Sequence, residues 1–290
     1  MDMHTLDDGL WRLDVIPAWG GRLARLRVAG FDLLQPIQDC DFDPLAWPRG
    51  GAYPLIPYSN RLQDARLAFS GKVHELPAHP AARPHSLHGV AHTLAWQVER
   101  QDATSLTLVC HYQGEQWPWP FVARQRFRLQ DGRLITELEL TNRGDTAMPA
   151  GLGLHPYFAR QPGMRVSLSP GREWLLDGDY LPTGATHTLR EPLVLKADAQ
   201  GAERAHYLSE WPGELRVDYP MGRLRLEADR LLSHFIVFAP AGAPYLCLEP
   251  VSHLADAFNR DPARWSEVGT QVLEAGASLR TRLAWHWQAT

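Results

Sequence analysis

An all-β protein is the expectation from three features of the chain: period-two alternation from end to end, turn residues between the alternating runs, and little helical periodicity. Apolar residues at every second position put one face of a strand against a core and the other toward water. Gly, Pro, Asn and Asp separate those runs, as in antiparallel hairpins. No fixed-period repeat, Gly/Ser linker or charged boundary divides the chain. One domain spanning residues 1–290 is therefore expected, built as a large antiparallel β-sandwich.

The elements follow in order. Trp11, Leu13 and Val15 alternate before Gly20 and Gly21, and the apolar run 23–34 reads as the return strand with a turn at Gly30. Phe121, Ala123, Gln125, Phe127 and Leu129 share one face of a strand whose other face carries Arg124, Arg126 and Arg128. Asp131-Gly132 supplies the tight turn, and Leu134, Thr136, Leu138 and Leu140 continue the apolar face on the way back. The arginine row reads as the solvated face of a half-exposed strand, with no anion-binding role. A third hairpin runs through Leu215, Val217 and Tyr219, turns at 220–222 and returns through Leu224 and Leu226. Near the end, Leu279, Thr281, Leu283, Trp285 and Trp287 alternate with Arg280, Arg282 and His286. A short helix is expected at 254–259 or 264–268. Segments 35–60, 78–89 and 177–206 lack alternation and read as long loops, where binding and catalytic groups concentrate.

A hydrophobic fraction of 44% with 11 tryptophans marks a folded chain without a disordered tract. The formal net charge is -4, from 29 basic and 33 acidic residues with no basic block, which argues against nucleic acid as a partner. Cys40, Cys110 and Cys247 are widely spaced in or near apolar segments and read as buried free thiols. The N-terminus lacks the basic start and apolar run of a signal peptide, and no uncharged apolar segment is long enough to span a bilayer. A soluble, cytoplasmic protein with no membrane partner is the expectation.

Four polar residues beside the loops bear on chemistry. His155 sits in Gly-Leu-Gly-Leu-His-Pro-Tyr-Phe, residues 151–158; alone it reads as a core histidine satisfied by backbone groups, a cavity-facing imidazole being the alternative. Arg61 closes a proline-bracketed loop, and its planar donors suit sugar hydroxyls or a carboxylate as well as a structural ion pair. His85 and His88 stand three apart, with Gly89 after the second. With no carboxylate at ligand spacing, no metal is expected; His88 reads as a neutral hydrogen-bonding group and His85 as a loop residue. Glu249 ends an apolar strand before Pro250, where a carboxylate is either ion-paired or perturbed into a base.

Taken in order, Pro-Tyr-Ser-Asn-Arg ending at Arg61, Ser-Leu-His-Gly around His88, Gly-Leu-His-Pro-Tyr-Phe around His155, Leu-Pro-Thr-Gly ending at Gly184 and Cys-Leu-Glu-Pro-Val-Ser-His around Glu249 resemble the aldose 1-epimerase (galactose mutarotase) family. The likeness spans nearly the whole chain. It implies a large antiparallel β-supersandwich of the galactose mutarotase type, with its cleft on the concave face of one sheet. It further implies that Glu249 is the general base at the anomeric hydroxyl and His155 the acid that protonates the ring oxygen. His88 then resembles the second cleft histidine, which orients or polarises the ring oxygen, and Arg61 the sugar-binding arginine. His206 matches the histidine of a sugar-binding aspartate-histidine pair; Ala205 stands where the family often has the aspartate, with Asp177, Asp179 and Glu203 as the available substitutes.

The implied activity is cofactor-independent interconversion of the α and β anomers of an aldose or aldose derivative, a small carbohydrate substrate. Opening a hemiacetal needs one proton removed and another delivered, so an acid and a base suffice without a redox or phosphoryl cofactor. Two alternatives stand beside it. One is a mutarotase for a sugar phosphate or other anionic sugar, motivated by Arg66 or Arg83. The other is a non-catalytic carbohydrate-binding protein of the same fold, motivated by the missing aspartate. The sugar and the oligomeric state are left open.

Overall fold

The alternating segments resolve into two large antiparallel sheets in a computed structural model, which describes residues 2–38, 41–196 and 203–290. The first sheet runs in the spatial order His4–Asp7, Trp11–Ile16, Arg22–Val28, Ala52–Leu55, Gly153–Ala159, Tyr245–Val251, His234–Ala239, Arg204–Ser209, Arg172–Leu176 and Pro182–Thr188. The second runs Gln97–Gln101, Ser105–Tyr112, Phe121–Gln130, Arg133–Asn142, Ser278–Ala289, Gly222–Ala228, Glu214–Tyr219, Arg165–Leu168 and Leu193–Lys196. Both draw strands from early and late in the chain, which is why no sequence boundary divides it.

The three expected hairpins form. Phe127 pairs with Thr136 across the 131–132 turn, and the five apolar-face positions from Phe121 to Leu129 are all buried. The C-terminal strand Ser278–Ala289 pairs with both Arg133–Asn142 and Gly222–Ala228 and so closes the middle of the second sheet. Its fully buried Trp285 stacks on Phe158 of the first sheet at 6.0 Å between centroids, and Trp11 donates its indole N–H to the carbonyl of Gly132 at 3.0 Å. Large buried aromatic rings at this contact contribute strongly to holding the sheets together. The arginine row is solvated and ion-paired: Arg124 with Glu99 at 2.9 Å, Arg126 with Glu137 at 3.4 Å. A groove of about 370 Å³ on this face is lined by such pairs, its charges largely neutralised in place.

All three expected long loops contain strand residues. Ala52–Leu55 lies inside 35–60; it is buried at every position, so it shows no alternation, and Pro54 disguises it further. Within 177–206, Pro182–Thr188 and Leu193–Lys196 end the two sheets, and Arg204–Ser209 begins. Pro182–Thr188 is mostly polar and exposed, a composition that protects a sheet edge, whereas Leu193–Lys196 is a short, mainly apolar run with Leu195 buried. Segment 78–89 holds only a 3-10 turn, Pro80–Ala82, and the two-residue strand Ser86–Leu87. The helical signals near 254–259 and 264–268 are a 3-10 turn at Ala257–Asn259 and one α-turn at Trp265–Val268. Cys110 and Cys247 are buried free thiols, whereas Cys40 lies outside the described residues. Among the described residues no helix is long and apolar enough to cross a membrane.

Candidate active site

Strand periodicity places the first two candidates side by side. Along Tyr245–Val251, Leu246 and Leu248 enter the core while Tyr245, Cys247 and Glu249 line a cavity; along Gly153–Ala159, Leu154 and Phe158 enter the core while His155 and Tyr157 line the same cavity. The pairs Gly153–Val251 and Tyr157–Cys247 bracket His155 and Glu249 on these neighbouring strands. Nε2 of His155 is 3.3 Å from Oε1 of Glu249, and both side chains are more than nine-tenths buried. That separation is long for a charge-assisted hydrogen bond and short enough for proton exchange once the pair tightens. Oε2 of Glu249 is buried with no protein hydrogen-bond partner among the described residues.

Burial governs the charge of this pair. Loss of solvation pushes the Glu249 carboxyl up to about 8, opposed by the Arg61 guanidinium, and pushes the His155 imidazole down to about 3, with Arg22 acting in the same direction. Near neutral pH the two groups therefore hold one proton between them, and burial favours carboxylic acid beside neutral imidazole.

The loop 56–63 carries Arg61 and, through Asn60, orients His88. Asn60 adopts a left-handed backbone with φ 61°, and its Oδ1 accepts from the Arg61 N–H at 2.8 Å and from the Tyr207 hydroxyl at 3.1 Å. Residues beyond Glu249 clamp the same loop: Nε2 of His253 accepts from the Ser59 N–H at 3.2 Å, and Oδ1 of Asp256 accepts from the Gln63 N–H at 2.9 Å. Arg61 is thereby held at the cavity with its guanidinium 5.0 Å from the centroid of the Tyr180 ring. His88, itself left-handed at φ 62°, accepts the Asn60 N–H on Nδ1 at 3.1 Å. Burial holds its imidazole neutral, so the proton belongs on Nε2. The ring stands edge-on to His155 at 5.1 Å between centroids. Gly89 follows because its backbone passes so close to Ile56 that a Cβ would lie 2.3 Å from the Ile56 oxygen. His85 is buried and structural, its Nδ1 accepting from the Asp64 N–H at 3.0 Å.

Arg61, His88, His155 and Glu249 thus line one cavity of about 390 Å³. His206, expected from the resemblance to bind sugar, does not line this cavity. It pairs in register with Val237, whereas its neighbour Tyr207 pairs with Ile236 and lines the cavity, so His206 points to the opposite face. There Nδ1 lies 2.7 Å from Oε1 of Glu173, a carboxylate shared with His187. None of the three acids that the sequence offers in place of the missing aspartate lines the cavity either. Asp177 holds a turn through the N–H groups of Asp179 and Leu181, and Glu203 accepts from the Tyr180 hydroxyl. Tyr180 and Tyr207 occupy that side instead.

Residues missed from sequence are mainly aromatic: Trp47, Tyr157, Tyr180, Tyr207 and Tyr245, with Tyr53 stacked on His155 at 4.6 Å. Two carried a signal, since Tyr157 and Tyr245 stand at even spacing from His155 and Glu249 on the same strands. His155, Cys247 and Glu249 also bring one donor atom each within 4.8 Å of one another, but Arg22, Arg49 and Arg61 bear on these groups with a field that opposes a cation.

The fold and site together define a β-supersandwich protein with a buried histidine-carboxylate pair at the floor of an aromatic cleft. The family model for aldose 1-epimerase matches residues 2–285, and the chain belongs to that family. The uncharacterised Escherichia coli K12 protein YphB is 26% identical over 271 residues, covering 90% of this chain and 91% of its own. A galactose mutarotase-like protein from Clostridium acetobutylicum superposes with a TM-score of 0.86 at 19% identity, over 99% of this chain and 95% of that one. The aldose epimerase homologue from C. elegans gives a TM-score of 0.80 at 17% identity, over 100% of both chains.

Proposed function

We propose that this protein is a mutarotase that opens and recloses the ring of an aldose or aldose derivative by acid-base chemistry alone. The observation that carries the reading is the buried His155–Glu249 contact at 3.3 Å on the wall of a sugar-sized cavity. Glu249 as carboxylate takes the proton of the anomeric hydroxyl while His155 as imidazolium protonates the ring oxygen. The bond between anomeric carbon and ring oxygen breaks, leaving the open-chain aldehyde. Rotation about the adjacent carbon-carbon bond presents the other carbonyl face, and reclosure returns both protons. His88 offers its Nε2 proton to the ring oxygen, and Arg61 offers guanidinium donors to sugar hydroxyls.

Proton bookkeeping suits this cycle. The pair enters opening as carboxylate and imidazolium and leaves it as carboxylic acid and neutral imidazole, one proton throughout. Burial favours the second state in the free protein, so the pair reaches the form that starts opening by passing the Glu249 proton to His155 across their 3.3 Å contact. Arg61 pulls Glu249 toward the ionised form that opening requires. The reading is tested by saturation-transfer NMR of anomer exchange over a panel of reducing sugars. Wild type exchanges at least one sugar, and Glu249→Gln or His155→Asn slows that exchange roughly a hundred- to ten-thousandfold. Exchange at the wild-type rate in both variants sinks the assignment.

A further inference from the structure

The acid-base chemistry leaves one end of the cavity without a role. On Tyr245–Val251 the cavity face runs Tyr245, Cys247, Glu249, and a strand rise of about 3.3 Å per residue puts roughly 13 Å between its ends. Arg61 bears on the Glu249 end. Arg49 bears on the other: its guanidinium lies 5.5 Å from the Trp47 ring centroid, and its charge acts on Tyr157, Tyr245 and Cys247. Trp47 in turn donates its indole N–H to the Tyr157 hydroxyl at 3.0 Å, so the surface beneath Arg49 is itself fixed.

Charge balance at the cavity is one-sided. Among the described residues neither Arg49 nor Arg61 has a carboxylate within ion-pair distance, and Glu249 is the one carboxylate lining the cavity. Even with Glu249 ionised, one of the two guanidiniums is left uncompensated. Sugar hydroxyls accept hydrogen bonds but bring no charge; a carboxylate or phosphate matches the planar fork of arginine in shape and charge. Arg66 and Arg83, which sequence suggested for an anion, do not line the cavity, and Arg66 is paired with Glu75 at 3.1 Å.

Building on the mutarotase reading, we propose that the substrate is an aldose with an anionic group remote from its anomeric carbon, and that Arg49 is the specificity residue that binds this group. With the anomeric carbon between His155 and Glu249, the far end of the sugar extends along the strand toward Tyr245 and Arg49. Arg49 acts in recognition and takes no part in proton transfer.

The test uses two matched pairs, glucose with glucose 6-phosphate and galactose with galacturonate, which separate phosphate from carboxylate. Anomer exchange is followed by NMR in wild type and in Arg49→Met, which keeps an apolar stem over Trp47; thermal melting checks that the variant is folded. Wild type favours the anionic member of at least one pair in kcat/KM. Arg49→Met lowers the anionic-to-neutral ratio of that pair about tenfold or more, through KM rather than kcat. Equal or better exchange of the neutral members, or a ratio unmoved in the variant, overturns the anion assignment and leaves the mutarotase reading standing. If none of the four sugars exchanges, the mutarotase reading falls, and calorimetry with glucose 6-phosphate and galacturonate decides the anion assignment by itself. Binding that weakens about tenfold in Arg49→Met upholds it, and no binding or equal binding overturns it.

Discussion

Glu249 is the residue whose environment differs most from water in a way that chemistry can use. Folded, its carboxyl titrates at about 8 against an ordinary value of 4.5, so the folded protein binds this proton more tightly than the unfolded chain. Stability tied to the group is therefore fully present below about pH 4.5 and is lost as pH rises through about 8. Glutamine copies the protonated acid, so Glu249→Gln should melt above wild type at pH 9, with a smaller gap at pH 5; scanning calorimetry at the two values checks this, and a gap independent of pH contradicts it. His155 has the opposite sign, its stability present above about 6.5 and lost as pH falls toward 3. The same titration shapes activity. Above about pH 8 the pair loses its single proton and with it the acid, so kcat/KM should fall on an alkaline limb near 8 that belongs to the pair. A profile flat to pH 10 contradicts that.

At the scale of elements, the site depends on two strands in register and one strained loop. Even spacing puts Tyr245, Cys247 and Glu249 on one face and His155 with Tyr157 on another, but sequence offered no strand at 153–159, and both that strand and its adjacency to Tyr245–Val251 came from the fold. The loop was legible as a place but not as a geometry. Asn60 and His88 both adopt left-handed backbones, and the Asn60 N–H to His88 Nδ1 bond that sets the imidazole tautomer joins residues that sequence cannot pair. Gly89 lets this crossing occur. Gly89→Ala, with a Cβ 2.3 Å from the Ile56 oxygen at φ 68°, should cost roughly 1–3 kcal/mol in urea unfolding and slow anomer exchange by displacing His88. Wild-type stability and rate in this variant would show that the crossing is not tight. His206 shows the limit of motif matching, for it matches the family's histidine beside a non-matching Ala205 while its side chain turns to Glu173.

For the whole molecule, the all-β class and the three hairpins followed from alternation, because half-buried strands must alternate. Ala52–Leu55 escaped because it is buried on both faces, Pro182–Thr188 because it has little apolar surface to alternate, and Leu193–Lys196 because a short, mainly apolar run shows no alternation. Trp285 reaches the first sheet through Phe158, and its N–H to the Thr136 hydroxyl at 3.2 Å fixes the ring to the neighbouring strand of its own sheet. Trp285→Ala should cost about 3–5 kcal/mol in denaturant unfolding, a loss below 1 kcal/mol placing the core elsewhere. The sheets so joined hold His155 and Glu249 on adjacent strands, and the central claim is that these two work as one proton-sharing unit. Its most direct test is the anomer-exchange rate of Glu249→Gln, His155→Asn and the double variant on the best sugar found. The account predicts that each single variant loses most of the activity and that the double is no slower than the slower single. Losses that multiply in the double variant, or a single variant at the wild-type rate, would contradict it.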